Sequence, residues 1–135
     1  MADGPTGGSR VLVVEDEALV RLMLGEMLTE LGHEVVAEAS RLDAGIKSAD
    51  EADYDLAVLD LNLGNGISYD VAEIVLRRGK ALVLSTGYGQ TGSGSKYASC
   101  VVIQKPFTRD ALRRAIQLSF QQISEPGPHG APSSA

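Results

Sequence analysis

Glu15, Asp16 and Glu17 follow one short apolar run, Asp60 and Asn62 a second, Ser85 and Thr86 a third, and Gln104 and Lys105 a fourth. In an open parallel sheet, ligands bind in the crevice outside the carboxyl ends of the strands, so these are the positions from which chemistry is done. Each residue has an ordinary role when taken alone. Asp16 serves equally as a helix cap, with Glu15 and Glu17 favouring the positive end of the helix dipole. Asp60 starts a turn, Thr86 ends a strand, and Lys105 is a solvated loop residue before Pro106. Their coincidence at one sheet edge is harder to explain that way. If the strand order is 2-1-3-4-5, strands one and three are neighbours, and Glu15, Asp16 and Asp60 crowd into one acidic pocket. Carboxylates that close resist ionising together unless a cation lies among them. Mg²⁺ suits such a site, because it takes a few carboxylate oxygens, keeps several waters and completes its shell with phosphate oxygens. The implied chemistry is phosphoryl transfer. A carboxylate nucleophile forms an aspartyl phosphate, while the cation, an ammonium and a hydroxyl neutralise the transferred oxygens. Asp60, Lys105 and Thr86 fit the nucleophile, ammonium and hydroxyl.

The elements that must hold these residues alternate between short apolar runs and helical periodicity. Residues 11–14 form a strand, and Leu19, Leu22, Met23, Met27 and Leu31 then share one helical face, with both methionines in the core, before Gly32 supplies a stop. A weaker strand at 35–39 precedes a short helix at 42–49, and a third strand at 56–59 runs into a turn built from Gly64, Asn65 and Gly66. Val71, Ile74 and Val75 mark a helix with a basic end, residues 81–84 a fourth strand, and residues 100–103 a fifth. Thr108 caps a final helix whose apolar face carries Leu112, Ala115, Ile116 and Phe120. Alternation places a fourth helix between 87 and 98, but Gly87, Gly89, Gly92 and Gly94 each cost about 1 kcal/mol relative to Ala there, so an irregular helix is expected. Five all-apolar strands separated by helices predict an α/β fold with a doubly wound parallel sheet buried on both faces.

Composition narrows the class further. A chain of 135 residues is enough for one domain and too short for two separate cores. Residues 1–9 and 124–135 are predicted as disordered tails around a folded unit at 10–123, and Met1 with these tails predicts a complete chain. Eighteen acidic against twelve basic residues give a formal charge of −6, which repels phosphate backbones and argues against direct nucleic-acid binding. No apolar run approaches a membrane span and no apolar signal core opens the chain, so a cytoplasmic location without membrane contact is expected. Cys100 is alone, which excludes an internal disulfide. His33 in a turn and His129 in the tail lack catalytic partners by spacing.

The stretch Val11-Leu12-Val13-Val14-Glu15-Asp16-Glu17, with Leu59-Asp60, Ser85-Thr86 and Lys105-Pro106-Phe107, resembles the receiver domain of two-component response regulators over residues 10–123. The resemblance implies a flavodoxin-like five-stranded sheet in the order 2-1-3-4-5. It implies Asp60 as phosphoacceptor, Asp16 as a direct Mg²⁺ ligand, Glu15 as a ligand through water, and Asn62 as the donor of a backbone carbonyl. It implies Thr86 as the switch hydroxyl, Lys105 as the phosphate-binding lysine, and a cis bond before Pro106. Three departures stand out. Gly64 replaces a common proline, which loosens the turn after Asp60. Val102 replaces the aromatic switch residue, so an ordering of residues 87–98 becomes the expected output device. Leu84-Ser85-Thr86-Gly87-Tyr88-Gly89 is similar to the Phe-Ala-Thr-Gly variant subclass, in which the fourth helix is often irregular.

The function expected from this is a single-domain, non-enzymatic response regulator in a His-Asp phosphorelay. Its partners are a sensor histidine kinase or phosphotransfer protein and a downstream protein, reached by interaction or onward transfer. The rival is a haloacid-dehalogenase-like phosphatase using an Asp nucleophile, whose Asp-x-Asp lies after the first strand, whereas here Asn62 takes the place of the second carboxylate. A flavodoxin-like nucleotide binder would need a phosphate loop where Glu15, Asp16 and Glu17 repel phosphate.

Overall fold

The computed structural model describes residues 8–64, 66, 68–87 and 100–124. The apolar runs become strands β1 (Arg10–Val14), β2 (Glu34–Ala39), β3 (Leu56–Asp60), β4 (Ala81–Thr86) and β5 (Val101–Gln104), all parallel in one sheet of order β2-β1-β3-β4-β5. Strands β3 and β4 are buried at every residue, and β1 at every residue but Arg10, as continuous apolar runs require. The edge strands β2 and β5 instead alternate between more and less exposed positions.

Four described helices cover the two faces: α1 (Ala18–Glu30), α2 (Leu42–Glu51), α3 (Tyr69–Arg77) and α4 (Arg109–Ser124). Because strand side chains alternate between faces, each strand feeds two cores. Leu12, Val14, Leu59 and Leu84 meet Ala49, Val71 and Val75 from α2 and α3 on one side. Val11, Val13, Val58 and Val83 meet Leu24, Leu28, Leu112 and Ile116 from α1 and α4 on the other. This is the doubly wound, flavodoxin-like sheet expected from the sequence. Residues 88–99, where the irregular helix was expected, lie outside the described residues, as do residues 1–7 and 125–135 of the two expected tails.

The ends of two helices follow local chemistry. Thr108 Oγ1 accepts the Ala111 N–H at 3.0 Å, the N-cap expected from its type. At the end of α1, Gly32 takes φ +94°, while the His33 N–H bonds back to the Leu28 carbonyl and the Gly32 N–H to that of Thr29. That pair of bonds is a Schellman motif, and its left-handed residue favours glycine.

The buried face of α1 differs from expectation. Leu19 is 68% exposed, Leu22 60% and Met23 46%, while Leu24 and Leu28 are buried and Met27 and Leu31 pack partly against them. The buried row is shifted one residue, about 100° around the helix, from the expected one. Met23 is therefore not a core residue, and Met27 is one only at its edge. Spacing could not choose because α1 carries apolar residues at almost every second or third position. Leu28→Ala should lower the unfolding free energy by about 2–5 kcal/mol, whereas Leu22→Ala should stay within about 0.5 kcal/mol of wild type in urea titrations. Equal losses at both positions would refute this phase.

Candidate functional site

The register of the sheet brings the polar strand ends together. Val14 pairs with Leu59 across β1 and β3, Asp60 with Ser85 across β3 and β4, and Thr86 with Gln104 across β4 and β5. Glu15 follows the end of β1, and Asp60 closes β3 beside it. The Lys105 N–H donates to the Thr86 carbonyl at 2.8 Å, which ties the start of the final loop to β4. The bond between Lys105 and Pro106 is cis.

The Lys105 ammonium lies between two carboxylates. Its Nζ is 3.0 Å from Glu15 Oε1 and 3.1 Å from Asp60 Oδ2. Glu15 is 1% and Asp60 5% exposed, so both ions are withdrawn from water. Lys105 Nζ also reaches Glu15 Oε2 at 3.2 Å, an oxygen it shares with the Glu17 N–H at 3.2 Å, and the Asn62 N–H lies 3.2 Å from Asp60 Oδ1. Asp16 is exposed, and one carboxylate oxygen from each of Glu15, Asp16 and Asp60 can lie within 4.8 Å of the others. Three carboxylates face one ammonium, so two negative charges are uncompensated when all ionise. A divalent cation fits that deficit and that oxygen-only donor set.

The titration of the cluster follows. Burial pushes the Glu15 carboxyl up to about 7, opposed by its hydrogen bond to Lys105 and reinforced by the charge of Asp60. Burial also raises Asp60, against Lys105 and the Asn62 N–H, while Asp16 adds to the rise. Burial works against the Lys105 ammonium, but its bonds to Glu15 and Asp60 outweigh that and raise it.

Of the residues singled out from sequence, Glu15, Asp60 and Lys105 are in mutual contact, Asp16 stands at the rim, and Asn62 is bonded to Asp60 through its backbone. Thr86 is adjacent but buried, and it does not line the groove that opens over Asp60. Asp16 does not cap α1: the N-cap position is Glu17, with no side-chain cap bond. Tyr88 and Gly89 of the variant-subclass motif lie outside the described residues. Gly64 takes φ +80°, which proline, fixed near −65°, cannot adopt.

Two supporting residues had no clear sequence signal. Ser68, fully buried just before α3, looks like a helix cap, yet its hydroxyl donates to the Asp60 carbonyl at 2.9 Å and caps nothing. Arg21, inside the apolar α1, donates to the Glu15 carbonyl at 2.8 Å and lies 3.5 Å from Glu38. The groove itself, about 600 Å³, runs from Asp60, Asn62 and Lys105 to an apolar end formed by Met23, Leu24, Met27 and Phe107.

Comparison with known proteins agrees with this geometry. The family model of the response regulator receiver domain matches residues 11–117. The transcriptional regulatory protein PdtaR of Mycobacterium tuberculosis is 32% identical over 120 residues, which span 86% of this chain and 58% of that protein. The probable chemotaxis protein CheY of Rhizobium etli is 28% identical over 82% of this chain and 92% of its own length. The solution structure of SdrG from Sphingomonas melonis Fr1 superposes with a TM-score of 0.76 at 30% identity, covering 84% of this chain and 97% of that one. The phosphatase alternative finds no support here, since the match is to a receiver domain and the buried Asp closes β3 rather than following β1. No described helix is long and apolar enough to cross a membrane.

The raised Glu15 carboxyl has a pH signature. Between its ordinary value of 4.5 and about 7, the folded chain holds a proton that the unfolded chain has released. The stability this contributes is full below the lower value and is lost as pH rises through the upper one. In divalent-free buffer, wild type should therefore lose stability relative to Glu15→Gln as pH rises from 4.5 to 7. Urea midpoints that run parallel across this window would contradict the assignment.

Proposed function

This chain belongs to the response regulator receiver family, and on that premise we propose that Asp60 accepts a phosphoryl group from a phosphohistidine donor with Mg²⁺ and passes the signal to a protein partner. The observation that carries this reading is the Asp60 carboxylate, buried at the end of β3, with Lys105 Nζ 3.1 Å from Oδ2. An Asp60 oxygen attacks phosphorus, a new O–P bond forms as the N–P bond of the donor breaks, and the histidine nitrogen departs with the bonding pair. Lys105 then meets a phosphoryl oxygen from where it already stands, and the Asn62 N–H holds the second carboxylate oxygen in line. Glu15, Asp16 and Asp60, with the Asn62 carbonyl, would hold Mg²⁺, which supplies positive charge to the carboxylates and to the transferred oxygens. The Thr86 hydroxyl, next to Ser85 at the end of β4, is drawn toward the new phosphoryl oxygens and carries the change outward.

The donor approaches along the groove. Its apolar end, which Met23 lines, and the exposed Leu19 and Leu22 on the same helix offer a helix-bearing partner an apolar surface to bury. Family membership supports a regulatory role exercised by protein contact rather than by turnover of an external substrate. The acidic balance of the chain leaves nucleic acid an unsuitable partner. A location in the cytoplasm, where histidine kinases present their phosphohistidine, completes the reading.

Incubation with acetyl phosphate and Mg²⁺, followed by intact-mass measurement, tests it. Wild type should gain one acid-labile phosphoryl group, and Asp60→Asn should fold and gain none. A phosphoryl adduct on Asp60→Asn would overturn the assignment.

A further inference from the structure

Gly64 makes two separate demands for glycine. Its φ of +80° lies in the left-handed region, and a β-carbon built there would stand 2.9 Å from Asp16 Oδ2, closer than non-bonded carbon and oxygen approach. Among the described residues, its chain neighbours aside, nothing but the Cγ of the same carboxylate, at 4.0 Å, also comes within reach of that position. The first demand concerns the turn alone. The second points at the acidic cluster.

Asp16 is the member of that cluster whose position is least determined by bonding. Glu15 and Asp60 are both tied to Lys105, whereas no hydrogen bond or ion pair among the described residues fixes the Asp16 carboxylate. Space is what decides where it rests. Gly64 is in turn placed by the site: its N–H donates to Asn62 Oδ1 at 3.1 Å, and the Asn62 N–H donates to Asp60 Oδ1. A short chain of bonds thus runs from Asp60 to the residue whose missing side chain makes room for Asp16.

We propose that Gly64 is a positioning residue for the cation, its absent β-carbon leaving the room in which Asp16 joins Glu15 and Asp60 around one divalent ion. This rests on the Mg²⁺ reading above. An exposed Asp carboxylate swings aside with little resistance, so a β-carbon at 64 displaces a ligand without breaking the fold. The consequence is a loss of metal affinity that the stability of the metal-free protein does not report.

Gly64→Ala and Gly64→Asn separate the two demands, since Asn tolerates positive φ and Ala does not, while both carry the β-carbon. Calorimetric Mg²⁺ titrations should give dissociation constants raised about tenfold in both variants, the scale of lost ligand positioning. Urea titrations without Mg²⁺ should show Ala less stable than Asn. In an Asp16→Ala background, Gly64→Asn should change Mg²⁺ affinity no further. Wild-type affinity in Gly64→Asn, or an equal loss with and without Asp16, overturns the proposal; if Gly64→Ala does not fold, the Asn variant decides. A wild-type chain that binds no Mg²⁺ at millimolar concentration overturns this and the metal reading together, whereas intact wild-type binding with an indifferent Gly64→Asn overturns this alone.

Discussion

One ammonium set between two buried carboxylates is the interaction on which the rest of the site depends. Withdrawing Glu15 and Asp60 from water would cost several kcal/mol for each ion if nothing answered their charge. Lys105 answers part of it at 3.0 and 3.1 Å, and two backbone N–H groups answer more. Burial still outweighs them, so both carboxyls are raised above their ordinary values. Asp16 then adds a third negative charge that Lys105 does not reach. The site is built short of positive charge, and a divalent ion and a phosphoryl group are complementary additions to it.

That shortage is imposed by topology. The order β2-β1-β3-β4-β5 sets β1 beside β3, so that Glu15 and Asp60 emerge from neighbouring strands while Lys105, just after β5, reaches both. The two cores fix the strand ends in height, because each central strand is clamped by α1 and α4 on one face and by α2 and α3 on the other. The α1 helix has a second task. Its buried row through Leu24 and Leu28 anchors it, and the same phase turns Leu19, Leu22 and Met23 outward, with Met23 lining the groove that leads to Asp60.

Much of this was legible in the sequence, for reasons that differ by residue. Strands buried on both faces must be apolar throughout, so β1, β3 and β4 announced themselves, and the polar residues after them were the natural site. Thr108 was legible as a cap because its hydroxyl needs only the local N–H of Ala111. The phase of α1 was not legible: its dense apolar residues satisfy two helical rows equally, and contact with Val11, Val13, Leu112 and Ile116 selects between them. Ser68 and Gly64 were missed in their actual roles because those depend on partners eight residues away at Asp60 and forty-eight away at Asp16. No local rule of helix or turn contains such partners.

The central claim is that Glu15, Asp16 and Asp60 act as one cation site whose charge deficit makes Asp60 a phosphoacceptor. The most direct measurement follows the side-chain carboxyl carbon resonances of these three residues during a Mg²⁺ titration at constant ionic strength. The account predicts that all three shift together, saturate and share a single dissociation constant. Three independent responses, or shifts no larger than those of exposed carboxylates such as Asp43 and Asp50, would contradict it.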